Sequence, residues 1–118
     1  MMLFLEYPPC STCKKAKAWL DAHKIPDTAR HIKEQNPSYE ELKRWYESSD
    51  LPLKKFFNTS GLVYKALELK DKLPTMVEEE QLRLLATDGM LVKRPLVVMD
   101  NGIVLTGFKE AEWAQKLK

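Results

Sequence analysis

The apolar run Met2-Leu3-Phe4-Leu5 stops at Tyr7-Pro8-Pro9, and directly beyond it the hydrophobic period changes from that of a strand to that of a helix. That abrupt change constrains the chain more than any other feature. The run is too short for a buried helix, and the prolines after it lack the N–H a sheet ladder needs, so it reads as a buried strand. From Ser11 onward Ala16, Trp19 and Leu20 recur at helical spacing with lysines between them, which predicts a helix from about Ser11 to His23 and places Trp19 in the core. Asp27 to Lys33 reads as a second strand, with Ala29, His31 and Lys33 alternating against Thr28, Arg30 and Ile32. Strand, helix and strand in this order form a βαβ unit with a right-handed crossover.

The middle of the chain is helical. Ser38-Tyr39-Glu40-Glu41 is a capping box, in which the first and last side chains bond each other's exposed backbone N–H, and Tyr39, Leu42, Trp45 and Tyr46 form the apolar stripe behind it. Pro52 opens a short helix carrying Leu53, Phe56 and Phe57, and a further piece holds Tyr64, Leu67 and Leu69. Thr75-Met76-Val77-Glu78 reads as a second capping box, opening a helix with Val77, Leu82, Leu84 and Leu85 that Gly89 can end. The strand period then returns in Leu96-Val97-Val98-Met99 and Ile103-Val104-Leu105, joined by Asp100-Asn101-Gly102, where Asn and Gly both tolerate positive φ. A last helix, from about Lys109 to Leu117, buries Trp113 and Leu117. The predicted architecture is α/β: one domain over residues 1–118, a four-stranded mixed sheet with flanking helices, and a helical insertion at about 36–88 between strands 2 and 3.

With 118 residues, 44% of them hydrophobic and 31% charged, the chain can bury one core inside a solvated surface. A formal charge of +2 gives no whole-protein argument for nucleic acid or membrane partners. No apolar stretch approaches the roughly 20 residues of a membrane span, and Met1 to Tyr7 lacks the positive and long apolar regions of a secretory signal. The expectation is a cytoplasmic protein.

Two cysteines three residues apart, Cys10 and Cys13, cannot staple distant parts of a fold, so in a reducing compartment the pair points to catalysis or metal binding. Their place between strand and helix favours the first. Cys10 falls at the helix N-cap, where unpaired N–H groups favour an anion, and Lys14, Lys15 and Lys17 follow with no acid among them. Both effects lower a thiol pKa, making Cys10 the nucleophile and Cys13, one turn deeper, the resolving thiol. The lysines fit a solvated helix face equally well. Pro8-Pro9 is expected to hold the approach to Cys10 extended. A zinc site would need further ligands, and His23 and His31, the only histidines, miss the usual spacing. Arg94-Pro95 stands where a strand begins. A proline is tolerated there in any fold, while a cis peptide would present backbone to an extended substrate; Arg94 offers a planar fork to an anion, or is a plain surface cation.

Four segments carry a resemblance: Tyr7 to Ala16 with its Cys-x-x-Cys pair, Leu53-Lys54-Lys55-Phe56-Phe57-Asn58-Thr59-Ser60-Gly61, Asp88 to Leu96 with Arg94-Pro95, and Val104-Leu105-Thr106-Gly107-Phe108. On these the chain resembles the ArsC/Spx branch of the thioredoxin superfamily, which holds glutaredoxin-linked arsenate reductases, Spx-type regulators and uncharacterised reductase-like relatives. The resemblance implies a thioredoxin-like sheet, a cis Pro95 and a nucleophilic Cys10. It implies no bound cofactor or metal, with glutathione, glutaredoxin or thioredoxin as electron donor and a protein or small-molecule disulfide as substrate. Reductases of the branch surround the cysteine with three arginines. Here only Arg94 corresponds, Lys54 stands at a second position and Gly107-Phe108-Lys109 lacks the third, so weak or absent arsenate turnover is expected, with Lys14, Lys54, Arg94 and Pro95 as substrate-binding candidates. Spx-type regulators share the Cys-x-x-Cys pair and bind RNA polymerase, which implies a redox sensor as the alternative.

Overall fold

The computed structural model describes residues 2–117. Its four strands form one mixed sheet in the order β2-β1-β3-β4. The first strand, β1 (Met2–Glu6), is central: it runs parallel to β2 (Thr28–His31) and antiparallel to β3 (Leu96–Met99), which pairs antiparallel with the edge strand β4 (Val104–Thr106). Helix α1 (Ser11–Ala22) makes the crossover from β1 to β2, so the βαβ unit forms where the change of hydrophobic period places it.

Side chains of β1 alternate between two cores, as the period of a strand requires. Met2 and Phe4 pack with Ala16, Trp19 and Leu20 of α1 and with Trp113 of α6 (Glu110–Leu117), while Leu5 packs on the other face against the helical insertion. A strand buried on both faces has to be apolar at every interior position, which is why Met2-Leu3-Phe4-Leu5 shows no polar alternation. Trp113 is fully buried, with Phe4, Trp19 and Phe108 at its ring edges and its indole N–H donating to the Gly107 carbonyl at 3.2 Å. Leu117 is only partly buried.

The insertion begins with α2 (Tyr39–Ser49), whose capping box forms as expected: Ser38 Oγ accepts from the Glu41 N–H at 3.1 Å and the Glu41 carboxylate accepts from the Ser38 N–H at 3.0 Å. That carboxylate also receives both terminal nitrogens of Arg30 at 2.7 and 2.9 Å, tying α2 to the end of β2. After a 3₁₀ turn at Leu53–Phe56 come α3 (Leu62–Ala66), α4 (Leu69–Lys72) and α5 (Glu78–Leu85).

Several local expectations are corrected. The piece with Tyr64, Leu67 and Leu69 is two helices, parted where Glu68 turns left-handed at φ 55°. The helix after Pro52 is a single 3₁₀ turn, and Phe57 lies outside it in extended backbone bridging to Val92. The helix start sits two residues later and carries only half of a capping box, because a valine side chain at the N-cap has no atom that can accept a hydrogen bond. Val77 is the N-cap and its N–H donates to Glu80 Oε1 at 3.1 Å, whereas the Thr75 hydroxyl donates to the Lys72 carbonyl and closes a separate turn. Val77 is exposed. Gly89 does not end α5. It opens another 3₁₀ turn and is a glycine because a Cβ would lie 1.8 Å from the Ile32 carbonyl oxygen. In the hairpin only Gly102 takes positive φ, while Asn101 contributes its side-chain oxygen, which accepts from the Ile103 N–H. Pro8-Pro9 forms a turn, not an extended approach: the Cys10 N–H donates to the Tyr7 carbonyl at 2.8 Å.

Candidate active site

Cys10 is the N-cap of α1, with extended backbone at φ −74° and ψ 124°. The Tyr7–Cys10 turn brings the chain from the end of β1 onto the helix start, so the sulfur lies beside the unpaired N–H groups of the first turn. Cys13 is one turn in and fully buried, and its Sγ accepts from the Tyr7 N–H at 3.5 Å. Both cysteines are free thiols.

The two sulfurs are displaced in opposite directions. Partial burial works against a Cys10 thiolate, but it is outweighed by hydrogen bonds from the Cys13 backbone, the Cys13 thiol, the Thr12 backbone and the Arg94 side chain, so its pKa falls below the ordinary thiol value. Burial pushes Cys13 up to about 12, and a neighbouring charge on Cys10 adds to the rise. The arrangement is a partly exposed, activated thiol hydrogen-bonded by a buried, protonated one.

Arg94 reaches this sulfur from the segment leading into β3. Its peptide bond to Pro95 is cis. Tyr7 supports the guanidinium from below, with the ring centroid 5.1 Å from Cζ, and His31 meets the Tyr7 ring edge-on. Two guanidinium nitrogens, Nε and Nη1, are buried without an acceptor among the described residues. A cation with unspent donors beside a thiol can hold a thiolate or an incoming anion.

The wall opposite is built from the insertion. Phe57 bridges antiparallel to Val92, the Asn58 N–H donates to the Leu91 carbonyl at 2.7 Å, and the Lys93 N–H donates to the Phe56 carbonyl at 2.8 Å. These bonds fasten Asn58, Ser60 and Gly61 next to Arg94, around a cleft of about 670 Å³ that Cys10 and Thr12 also line. A Cβ at Gly61 would come within 2.7 Å of the Asn58 side-chain nitrogen, so a larger residue there would have to displace that amide. The remaining wall includes Lys93, Thr106, Phe108 and Lys109.

Of the residues singled out from sequence, Cys10, Cys13 and Arg94 come together. Pro95 is buried next to Arg94, its carbonyl accepting from the Gly107 N–H at 2.8 Å. Lys14 is exposed and does not line the cleft, and Lys54 lines a neighbouring one. Lys17 is engaged elsewhere, with Asp27 at 2.7 Å and Asp21 at 3.6 Å. The thiolate is thus favoured by backbone N–H groups and Arg94 and not by the lysines that follow it in sequence. Sequence reasoning assigned no role to Tyr7, Asn58, Lys93 or Lys109. For Asn58 and Lys93 the signal lay in the segments 53–61 and 88–96, which converge on this cleft; Tyr7 opens the segment 7–16, and Lys109 directly follows 104–108. No group of three His, Cys, Asp or Glu side chains among the described residues is placed to hold a metal ion.

The sequence model of the ArsC family matches residues 5–116. The chain is similar to the uncharacterized protein YusI of Bacillus subtilis, 55% identical with 97% of this chain and 96% of that protein covered. It is also similar to the regulatory protein MgsR of the same organism, 32% identical over 94% of this chain and 86% of MgsR. Among solved structures, an ArsC family related protein from Bacteroides fragilis superposes with a TM-score of 0.93 at 61% identity, covering 97% of this chain and 95% of that one. A possible arsenate reductase from Streptococcus mutans superposes with a TM-score of 0.90 at 47% identity, covering 99% and 98%.

Proposed function

The chain belongs to the ArsC family, and from that premise we propose that it is a cytoplasmic thiol–disulfide oxidoreductase with Cys10 as nucleophile and Cys13 as resolving thiol. The observation that carries this reading is the opposite displacement of two thiols at one helix start. The Cys10 thiolate attacks one sulfur of a substrate disulfide, and the other substrate sulfur leaves as a thiolate. Cys13 then gives up its proton, attacks Cys10 Sγ and releases the second substrate thiolate. The substrate gains two electrons and the protein holds a Cys10–Cys13 disulfide. A dithiol or glutathione donor, of the glutaredoxin or thioredoxin class, returns two electrons to complete the cycle. Arg94 stabilises the thiolate before attack and meets whatever anionic group the substrate brings.

The test is trapping. Cys13→Ser should accumulate mixed disulfides with partners after mild oxidant, and Cys10→Ser should abolish them. Wild type should lose two protons in mass and regain them on reduction. Equal trapping by both variants, or no internal disulfide, would sink the reading.

Similarity to MgsR over nearly the whole chain favours a second reading, in which the same dithiol couple is a sensor on a transcriptional regulator that contacts RNA polymerase. Retention of RNA polymerase by the immobilised protein, dependent on its redox state, distinguishes it. For arsenate, one arginine with Lys93 and Lys109 around Cys10 is a poorer cradle than three arginines, because lysine cannot supply a planar bidentate contact.

A further inference from the structure

The cleft at Cys10 is continuous with a second one of about 820 Å³, since Lys93, Thr106 and Lys109 line both. The second cleft runs along β4, the edge strand, which among the described residues pairs only with β3. In an antiparallel pair, opposed residues alternate between those that exchange backbone hydrogen bonds and those whose N–H and C=O point away. The Met99 N–H donates to the Ile103 carbonyl at 2.9 Å and the Gly107 N–H to the Pro95 carbonyl at 2.8 Å. With Val97 opposite Leu105, the bonded pairs are therefore 99 with 103, 97 with 105 and 95 with 107. The N–H and C=O of Val104 and Thr106 point out of the sheet, and both residues line the groove.

The groove is strongly cationic. Lys54 and Lys55 come from the 3₁₀ turn of the insertion, Lys93 from the approach to β3, and Lys109 and Lys116 from the start and end regions of the last helix. Against these five stand Asp50 and Glu112. None of the five lysines forms an ion pair among the described residues, where the pairs involve Lys17, Arg30 and Arg83. Lysines from separate segments, far apart in sequence, thus border one open strand edge.

From this juxtaposition we infer that the β4 edge is a docking groove for an extended, acidic segment of a protein partner, which adds as a strand to β4 and is led to Cys10. Backbone pairing to Val104 and Thr106 supplies binding without sequence demand, and the lysines select for acidic side chains. A second copy of this chain would bring the same lysines to the same edge and be repelled, as lysine-flanked edges are. The inference deepens the proposed oxidoreductase reading by naming its substrate class: a protein whose reactive sulfur lies beside an acidic extended stretch.

Two ten-residue fluorescent peptides without cysteine test the docking apart from the chemistry. One alternates Asp or Glu with Val or Thr, and the other has Asn and Gln in place of the acids. The acidic peptide should bind at least about tenfold tighter at low salt, and the gap should close at high salt. Lys55→Glu combined with Lys116→Glu, two exposed positions outside the Cys10 cleft, should weaken acidic-peptide binding by about tenfold. Hydrogen exchange at the Val104 and Thr106 amides should slow when the peptide is bound, and N-methylation of alternate peptide residues should abolish both effects. Equal affinity for the two peptides, indifference to salt, or unchanged exchange at Val104 and Thr106 overturns the inference. So does a concentration-dependent dimer that protects those amides without peptide. Cys10→Ser should bind the acidic peptide as wild type does. Docking retained with no thiol transfer to a disulfide-bearing form of the peptide counts against the oxidoreductase reading alone.

Discussion

Alkylation of the reduced protein at pH 7.5 should modify Cys10 well before Cys13. A thiol with a pKa of about 12, as at Cys13, is ionised in about one molecule in 30,000 at that pH. Cys10, held below the ordinary value of 9.0, is ionised in more than about one molecule in 30. The thiolate populations therefore differ by a factor of about 1,000 or more in favour of Cys10. A more basic thiolate is also a better nucleophile, and at a Brønsted slope of about 0.4–0.5 this returns a factor of roughly 15–30 to Cys13. Ionisation and nucleophilicity together leave Cys10 faster by about 30-fold or more, and the complete burial of Cys13 widens the gap. The assay is a time course with iodoacetamide, quenched and read by peptide mapping, at intervals from pH 5 to 9. The Cys10 rate should rise with pH and level off before the range of a free thiol. Equal rates, or earlier labelling of Cys13, would mean that the hydrogen bonds from the helix start and Arg94 do not control the sulfur.

Arg94→Met removes one of the donors to the Cys10 thiolate, so Cys10 should move back toward its ordinary value and its alkylation at neutral pH should slow by roughly three- to tenfold; the same guanidinium charge also lowers Cys13, so Cys13 should label no faster than before. Gly89→Ala drives a Cβ to 1.8 Å from the Ile32 oxygen and 2.7 Å from its carbonyl carbon, both backbone atoms, and should cost about 3 kcal/mol or more, seen as a melting temperature lower by roughly 10 °C. Glu41 is held down to about 2 first by its hydrogen bonds from Arg30 and then, against a burial cost, by the Ser38 N–H. A carboxylate depressed in the folded state adds stability above its ordinary value of 4.5 and loses it as pH falls from there toward 2. With both side chains about a quarter exposed, screening leaves about 1–2 kcal/mol of this, and Glu41→Gln should flatten the acid limb of a denaturation series by that amount.

Where a residue's burial follows from its own period, the sequence was readable. Met2 to Leu5 is apolar throughout because β1 is covered on both faces, and Trp19 and Trp113 meet at ring edges because α1 and α6 pack on one side of it. The insertion was legible as helical but not in detail. The break at Glu68 and the displaced cap at Val77 are set by tertiary packing of short helices, for which local signals are weak. Gly89 shows the limit most directly. A glycine after an apolar stretch reads as a helix terminator, yet this one is dictated by Ile32, 57 positions away in the chain and adjacent in space.

At the site, the local part of the chemistry was visible and the long-range part was not. A cysteine at a helix N-cap with another one turn later predicts an accessible and a buried thiol; Cys10 lies partly exposed and Cys13 fully buried. Nearness in sequence misled for the charges. Lys14 and Lys15 adjoin the motif but remain on the solvated face, and Lys17 is committed to Asp27, whereas the cation at the sulfur is Arg94, 84 positions from Cys10. What brings Arg94 there is the backbone pairing of 56–58 with 91–93 and the Tyr7 ring beneath it, so the helical insertion is part of the site and not an appendage to the sheet. The same pairing places Lys54 and Lys55 along the groove at β4. One short length of ladder therefore sets two things at once: the ionisation of the reacting sulfur and the charge of the surface that leads to it.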